Sequence, residues 1–102
     1  MDIIDKDKLI ELYGSEATAL EIIRMFNQRS TELIEEISLA IKEQDSESLA
    51  RICHKGVGQS RYIASPLIEE TIRDLEKASW PEKENHLNKL QAAIQAIEHA
   101  YA

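Results

Sequence analysis

The sequence predicts an all-α fold, an antiparallel four-helix bundle with a short extra helix at its N-terminus. Only three glycines and two prolines interrupt the 102 residues of the chain. Most other positions hold residues that favour helix, chiefly Leu, Ile, Ala, Glu, Lys and Gln. Apolar residues recur every three or four positions in four long segments, and amphipathic helices joined by short links favour an antiparallel bundle.

The first two helices have clear start signals. Asp5 is a suitable N-cap for a short helix over residues 6–13, which Gly14 ends. Ser15 is suited to cap a long second helix. The predicted inward stripe of that helix consists of Ala19, Ile22, Ile23, Phe26, Ser30, Leu33, Ile34, Ile37 and Ile41.

Three further helices follow. The polar stretch 44–48 breaks the second helix, and a third is predicted from about residue 46 to 63. Ser65 followed by Pro66 predicts the start of a fourth helix, because proline is favoured at the first helical position. Its inward residues are Leu67, Ile68, Thr71, Ile72 and Leu75.

The last helix is predicted from a capping box, the four residues Ser79-Trp80-Pro81-Glu82. Trp80 is expected to cover the end of the bundle. The many Glu and Lys residues of this helix are expected to form a solvated face. Its inward residues are Leu87, Leu90, Ile94, Ile97 and Tyr101.

The composition indicates one globular domain over residues 1–102 and excludes several function classes. Apolar residues make up 43% of the chain, so a core can form without disulfides or a structural metal. The net charge of −7 argues against binding to nucleic acid. No apolar run approaches the about 20 residues that span a bilayer, and no basic signal-peptide region is present. A single cysteine fits a reducing compartment. We therefore expect a cytoplasmic domain without direct membrane contact. We also expect a monomer.

The predicted third helix carries a histidine that faces solvent. With about 100° of rotation per residue, its apolar side lies opposite His54. That side holds Leu49, Ile52, Gly56 and Ile63. The side of His54 also holds Glu47, Ala50, Arg51, Gly58 and Arg61, with Val57 and Tyr62 at its flanks.

Two glycines lie inside this helix, where each costs about 1 kcal/mol relative to alanine. Gly56 lies on the buried side, where it would let a neighbouring helix approach closely. Gly58 lies one turn after His54, where a missing side chain would clear space for an incoming ligand or macromolecule.

The stretch Ala50-Arg51-Ile52-Cys53-His54-Lys55-Gly56-Val57-Gly58, followed by Leu75-Glu76, resembles the histidine-containing phosphotransfer (HPt) domains of bacterial multistep phosphorelays. In that family a glycine lies four residues after an exposed histidine, which Gly58 matches. A leucine-glutamate pair closes the next helix, which Leu75 and Glu76 match. The preceding helix with Phe26 and the polar break before the histidine helix also fit, so the similarity covers nearly the whole chain.

The resemblance implies that His54 accepts a phosphoryl group from a receiver-domain aspartate and transfers it to an aspartate of a response regulator. Neutral imidazole is a competent nucleophile near pH 7, which suits this role. The implied partners are receiver domains of a hybrid sensor kinase and of a response regulator. The chain needs no cofactor of its own, because the receiver supplies the Mg²⁺ ion. No nucleotide-binding motif is present, so we expect a phosphocarrier without autonomous kinase activity.

One position departs from the family pattern, because Val57 lies where the family usually has lysine. Arg51, one turn before His54 at about 4.5 Å of rise, is predicted to support the phosphoryl group. Arg61, two turns after it at about 10.5 Å, is predicted to act in docking. Lys55 projects about a quarter-turn from His54 and is a less direct candidate.

Other roles stay open on sequence grounds. Val57 favours the alternative of a non-catalytic helical adaptor, a degenerate HPt domain that binds a partner without phosphotransfer. Adjacent Cys53 and His54 point about 100° apart, so a Cys-His nucleophile is poorly placed and Cys53 is expected at the edge of the core. His86 and His99 lie more than three turns apart on another helix, so no metal site is expected.

The relation of this chain to a larger protein is also open at this stage. It could be a free-standing relay protein or the C-terminal module of a hybrid sensor kinase tethered at the inner membrane, and the abrupt start and compact length favour the second.

Overall fold

The structure, a computed structural model, describes residues 3–101, which fold into five α-helices without a strand. The helices are α1 (Lys6–Tyr13), α2 (Glu16–Lys42), α3 (Ser46–Tyr62), α4 (Pro66–Lys77) and α5 (Trp80–Tyr101). The predicted all-α class and the short extra N-terminal helix are confirmed. None of the helices in this described part of the chain combines the length and the apolar character that a membrane span requires.

The four long helices form a closed ring. α2 packs against α3, α3 against α4, and α4 against α5, which returns to α2. Because the links between them span only residues 43–45, 63–65 and 78–79, consecutive helices run antiparallel. The body measures 41 × 21 × 19 Å, and its long axis matches the about 40 Å expected of the 27-residue α2. The predicted antiparallel bundle is confirmed.

Local capping fixes three helix starts where the sequence predicts them. Side-chain oxygens of Asp5, Ser15 and Ser65 each accept a hydrogen bond from the amide three residues later, at 3.1 to 3.2 Å. Pro66 occupies the start of α4. Gly14 ends α1 with a φ of +81°, the left-handed conformation that glycine adopts without a steric penalty.

The start of α5 differs from the prediction in its bonding. The Glu82 amide donates to the Ser79 carbonyl at 2.9 Å, where a capping box would use the Ser79 hydroxyl. The helix still begins at Trp80. The capping-box prediction is therefore wrong in mechanism, although it gives the correct first residue.

The inward residues predicted for α2 to α5 form the core or pack against it. In α2, Ile22, Ile34 and Ile41 are only half-buried, and Ala40 takes the buried position near the helix end. Largest among the fully buried side chains of the long helices and their links are Ile23, Leu33, Ile37, Ile63, Ile68, Ile72, Leu75, Leu90 and Ile97.

Lys83 of α5 contradicts the predicted solvated face. Its side chain is buried, and its Nζ donates to the carbonyls of Leu75 at 3.0 Å and Glu76 at 2.7 Å. Nζ also lies 5.1 Å from the centroid of the Trp80 ring. These carbonyls lie in the last turn of α4, where backbone acceptors lack helical partners and the dipole favours a cation. Lys83 therefore fixes the hairpin between α4 and α5.

The short helix α1 closes one end of the bundle. It packs on α2, and its Leu9 is fully buried. Before α1, the Asp5 amide donates to the carbonyl of Ala64 at 2.8 Å. After it, the Tyr13 hydroxyl donates to the carbonyl of Tyr62 at 2.7 Å. α1 is therefore bonded to the C-terminal end of α3, the helix that carries His54.

Candidate functional site

His54 lies at the centre of α3, eight residues from Ser46 and eight from Tyr62. Its side chain is exposed, as the projection predicts, while Leu49 and Ile52 on the other side of the helix are buried. A helix packed along one stripe holds its backbone in place. The imidazole is therefore presented to solvent from a rigid support.

The two glycines of α3 occupy different surroundings. A Cβ atom at Gly56 would lie 3.0 Å from Cδ1 of Ile72 and 3.3 Å from Cδ1 of Leu33. A Cβ atom at Gly58 would meet no heavy atom within 4 Å. Gly56 thus permits close packing against α2 and α4, and Gly58 leaves open space one turn after His54.

On the flank that faces α2, the cations of α3 meet carboxylates. Nζ of Lys55 lies 2.9 Å from Oε2 of Glu36, and both side chains are partly exposed. The hydrogen bond from Lys55 lowers the pKa of the Glu36 carboxyl, and the charge of Arg51 adds to this effect. Arg51 lines a groove in which the acidic side chains are those of Glu36, Glu43 and Asp45.

On the flank that faces α4, Arg61 is also paired. Its Nε lies 3.0 Å from Oε1 of Glu69, while Nε of Arg73 lies 3.2 Å from Oε2 of the same carboxylate. The hydrogen bond from Arg61 lowers the pKa of Glu69, and that from Arg73 contributes further. Val57, which the projection placed at the flank of the exposed side, is instead 8% exposed and belongs to the core, so its position supplies no charge near His54.

An apolar groove opens beside Gly58. It is lined by Leu12, Tyr13, Gly58, Arg61 and Tyr62 and is called here the Gly58 groove. Leu12 is 58% exposed and Tyr62 is 69% exposed, so the groove presents apolar side chains to solvent. Tyr62 also borders a second apolar groove on its α2 side, which includes Ile22 and Met25.

The part that α1 plays in this groove was not predictable from the sequence. Leu12 and Tyr13 are separated from Gly58 by more than forty residues, and the hydrogen bonds from Tyr13 to Tyr62 and from Asp5 to Ala64 bring them together. The sequence signal available was Leu12, an apolar residue near the end of a short helix, three positions after Leu9.

The other candidate nucleophile and metal-ligand residues do not form a site with His54. Cys53 is fully buried, and burial, with a smaller effect from Glu76, raises the pKa of its thiol to about 12. A thiol in that state is a poor nucleophile. His86 and His99 lie on α5. Within residues 3–101, no group of three or more His, Cys, Asp or Glu side chains could hold a metal ion.

Comparison with known proteins gave one match. The family model described as the Hpt domain matches residues 21–100, which include His54, Gly58 and the four helices of the bundle except the first five residues of α2 and the last residue of α5. No curated protein and no solved structure matches the chain.

Proposed function

The chain belongs to the Hpt domain family, and from this premise we propose that it is a phosphocarrier in which His54 takes a phosphoryl group from one receiver domain and passes it to another. Hpt domains act in the phosphotransfer of two-component phosphorelays and interact with receiver domains there. The observation that carries the proposal for this chain is the exposed His54 at the centre of a rigid helix, with open space at Gly58.

The proposed step needs little from the chain itself. A neutral ring nitrogen of His54 attacks the phosphorus of an aspartyl phosphate on the receiver. The nitrogen–phosphorus bond forms as the aspartyl oxygen–phosphorus bond breaks, and the aspartate leaves as a carboxylate. The other ring nitrogen keeps its proton, so that histidine can leave as a neutral imidazole in the second transfer. The second transfer runs the same bond changes in reverse, toward a response-regulator aspartate.

Positioning and charge neutralisation account for most of phosphoryl-transfer catalysis. The receiver contributes Mg²⁺ in this proposal, and the chain contributes the accessible nucleophile. Arg51 and Lys55, on the α2 flank of His54, are the nearest cations along the helix. The donor receiver belongs to a hybrid sensor kinase and the acceptor to a response regulator.

The Gly58 groove is the docking surface in this proposal. Gly58 lies about 6 Å along the helix from His54, so a receiver seated on the groove brings its aspartate to the imidazole. The exposure of Leu12 and Tyr62 supports this, because apolar side chains at a contact lose water when a partner binds. Arg61 borders the groove and adds a salt-sensitive contribution to association.

A second function is favoured by Val57. The side chain is buried where the family usually has a lysine, so the chain lacks that cation. A helical adaptor would need the Gly58 groove but not a reactive histidine. Both functions predict binding of a receiver, and only the phosphocarrier predicts a covalent product.

Transfer from a radiolabelled receiver tests the proposal. The full chain is mixed with a receiver phosphorylated on its aspartate, and the label that reaches the chain is tested for acid lability and alkali stability. We expect such label on the wild-type chain and on the His86→Gln and His99→Gln controls, and none on His54→Gln. His54→Gln should keep its helical content, since surface substitutions usually change stability by less than about 0.5 kcal/mol.

Two results would decide against the proposal. Label that persists on His54→Gln would remove His54 as the acceptor. A wild-type chain that binds the phosphorylated receiver but never takes label would favour the adaptor.

A further inference from the structure

One carboxylate of α2 faces both cations next to His54. Glu36 accepts a hydrogen bond from Lys55 at 2.9 Å, and the charge of Arg51 acts on the same carboxylate. Lys55 follows His54 directly in the sequence, and Arg51 precedes it by one helical turn. The ammonium group next to His54 in the sequence is therefore paired with Glu36 in the unphosphorylated chain.

We propose that Glu36 is a positioning residue that holds Lys55 in the resting state and gives it up to the phosphoryl group once His54 is phosphorylated. The inference rests on the proposed function, since it concerns the product of that transfer. The exchange breaks and forms no covalent bond and moves no proton. Nζ of Lys55 leaves the carboxylate of Glu36 and donates to phosphoryl oxygens instead.

Three observations support the exchange. The pair of Lys55 and Glu36 is partly exposed, with side-chain exposures of 49% and 31%, so water weakens it. A phosphoryl group carries up to two negative charges and three acceptor oxygens, so it competes well for an ammonium group. Val57 is buried and Arg61 lies two turns away, so the α2 flank supplies the nearest cations.

Lys55 is also able to reach both partners. Its side chain projects about 100° from His54 toward α2, and a long, flexible stem lets the ammonium group swing over several ångströms. The structure shows one end of this swing, at Glu36. When the Glu36 charge is removed, Lys55 is already unpaired from this carboxylate. It should then bind the phosphoryl oxygens without first giving up its ion pair with Glu36.

The lifetime of phosphohistidine measures the effect without a receiver. The chain is phosphorylated with phosphoramidate, whose phosphorus–nitrogen bond breaks with release of ammonia, and loss of the phosphoryl group is followed by ³¹P NMR. Bond breaking draws electrons from the phosphoryl group toward the imidazole, so a cation on its oxygens stabilises the phosphorylated state more than the loose transition state. Glu36→Gln should lengthen the half-life about two- to fivefold, the range that an exposed ion pair supplies.

A matched control separates this effect from general loss of an ion pair. Lys6 and Glu16 form an exposed pair with the same 2.9 Å separation, about 30 Å along α2 from Glu36. Glu16→Gln should leave the half-life unchanged. Lys55→Gln should shorten the half-life. In the Lys55→Gln background, Glu36→Gln should have less than half of its effect on the half-life, because Glu36 acts through Lys55.

Each outcome has a definite meaning. An unchanged half-life in Glu36→Gln, or an undiminished effect of that substitution in the Lys55→Gln background, would overturn the role of Glu36 and leave the phosphocarrier proposal standing. A wild-type chain that takes no phosphoryl group on His54 would overturn both. Circular dichroism of each variant checks that the helical fold is kept.

Discussion

At the scale of single residues, Gly56 and Gly58 place opposite demands on one helix. The first lies against Ile72 and Leu33, where even a methyl group would force neighbours to move. The second lies in open space. Helix propensity alone would replace both by alanine, so the packing of Gly56 and the accessibility at Gly58 offset that preference.

Alanine substitutions should separate these two roles. Gly58→Ala should raise the free energy of unfolding by about 1 kcal/mol, because the helix gains and nothing is displaced. Gly56→Ala should be less stable than Gly58→Ala, since the added Cβ crowds Ile72 and Leu33, and overpacking typically costs about 1–3 kcal/mol. Urea unfolding of both variants measures the difference. Equal stabilisation of the two would show that the helices at Gly56 do not need close approach.

A larger side chain at Gly58 should act on function rather than on folding. Gly58→Gln is expected to slow transfer from a receiver by obstructing the approach to His54, while Gly58→Ala leaves the rate close to that of the wild type. Stability and activity then move in opposite directions. A Gly58→Gln variant that transfers normally but unfolds more easily would identify Gly58 as a packing residue.

The buried thiol of Cys53 should make stability depend on pH. Burial and, to a smaller extent, Glu76 raise its pKa from 9.0 to about 12 in the folded chain. The unfolded chain therefore loses this proton at a lower pH than the folded chain does. The contribution of the thiol is fully present below about pH 9 and declines as pH rises toward 12.

Comparison with Cys53→Ala isolates this effect from the other groups that titrate at alkaline pH. Between pH 7 and pH 10.5, the free energy of unfolding of the wild-type chain should fall more steeply than that of Cys53→Ala. Parallel curves would mean that the thiol titrates alike in the folded and unfolded chains.

At the scale of elements, helix starts were predictable from the sequence and helix ends were less so. Asp5, Ser15 and Ser65 act through atoms three residues away, so a local pattern contains the whole interaction. α2 and α3 are followed by Gln44 and Ala64 with a φ of +51°, where no glycine signals the left-handed turn. The surrounding bundle holds those residues in place.

The burial of Lys83 was also not predictable from a local sequence pattern. It lies in a polar run at the start of α5, and its partners are backbone carbonyls of α4 that carry no sequence signal. Lys83→Met should lower the free energy of unfolding by about 2 kcal/mol, because two carbonyls lose a charged donor. The exposed Lys89→Met on the same helix is the control and should stay within about 0.5 kcal/mol. Thermal or urea unfolding that ranks the two variants equally would assign Lys83 no role in the hairpin.

At the scale of the whole molecule, the position of His54 followed from periodicity, and its surroundings did not. A 3.6-residue repeat is enough to place the imidazole opposite the core. The carboxylates that face Lys55 and Arg61 come from α2 and α4, and the Gly58 groove needs Leu12 and Tyr13 from α1. These contacts depend on how the helices pack, which a single sequence does not contain.

The same distinction applies to the cations. Projection along one helix predicted Arg51 as the nearest support for a phosphoryl group and ranked Lys55 below it. The structure shows that Glu36 of α2 interacts with both cations. How readily they can bind a phosphoryl group therefore depends on α2, which the projection along α3 did not include.

The most direct test of the central claim is the second half of the relay. Chain that carries radiolabel on His54 is purified and mixed with an unlabelled receiver domain and Mg²⁺, and the label on each species is followed over time. The phosphocarrier account predicts that label leaves the chain faster than in the absence of receiver and appears on the receiver as an alkali-labile acyl phosphate. Label that remains on the chain, or is released as inorganic phosphate no faster than without the receiver, would contradict the account.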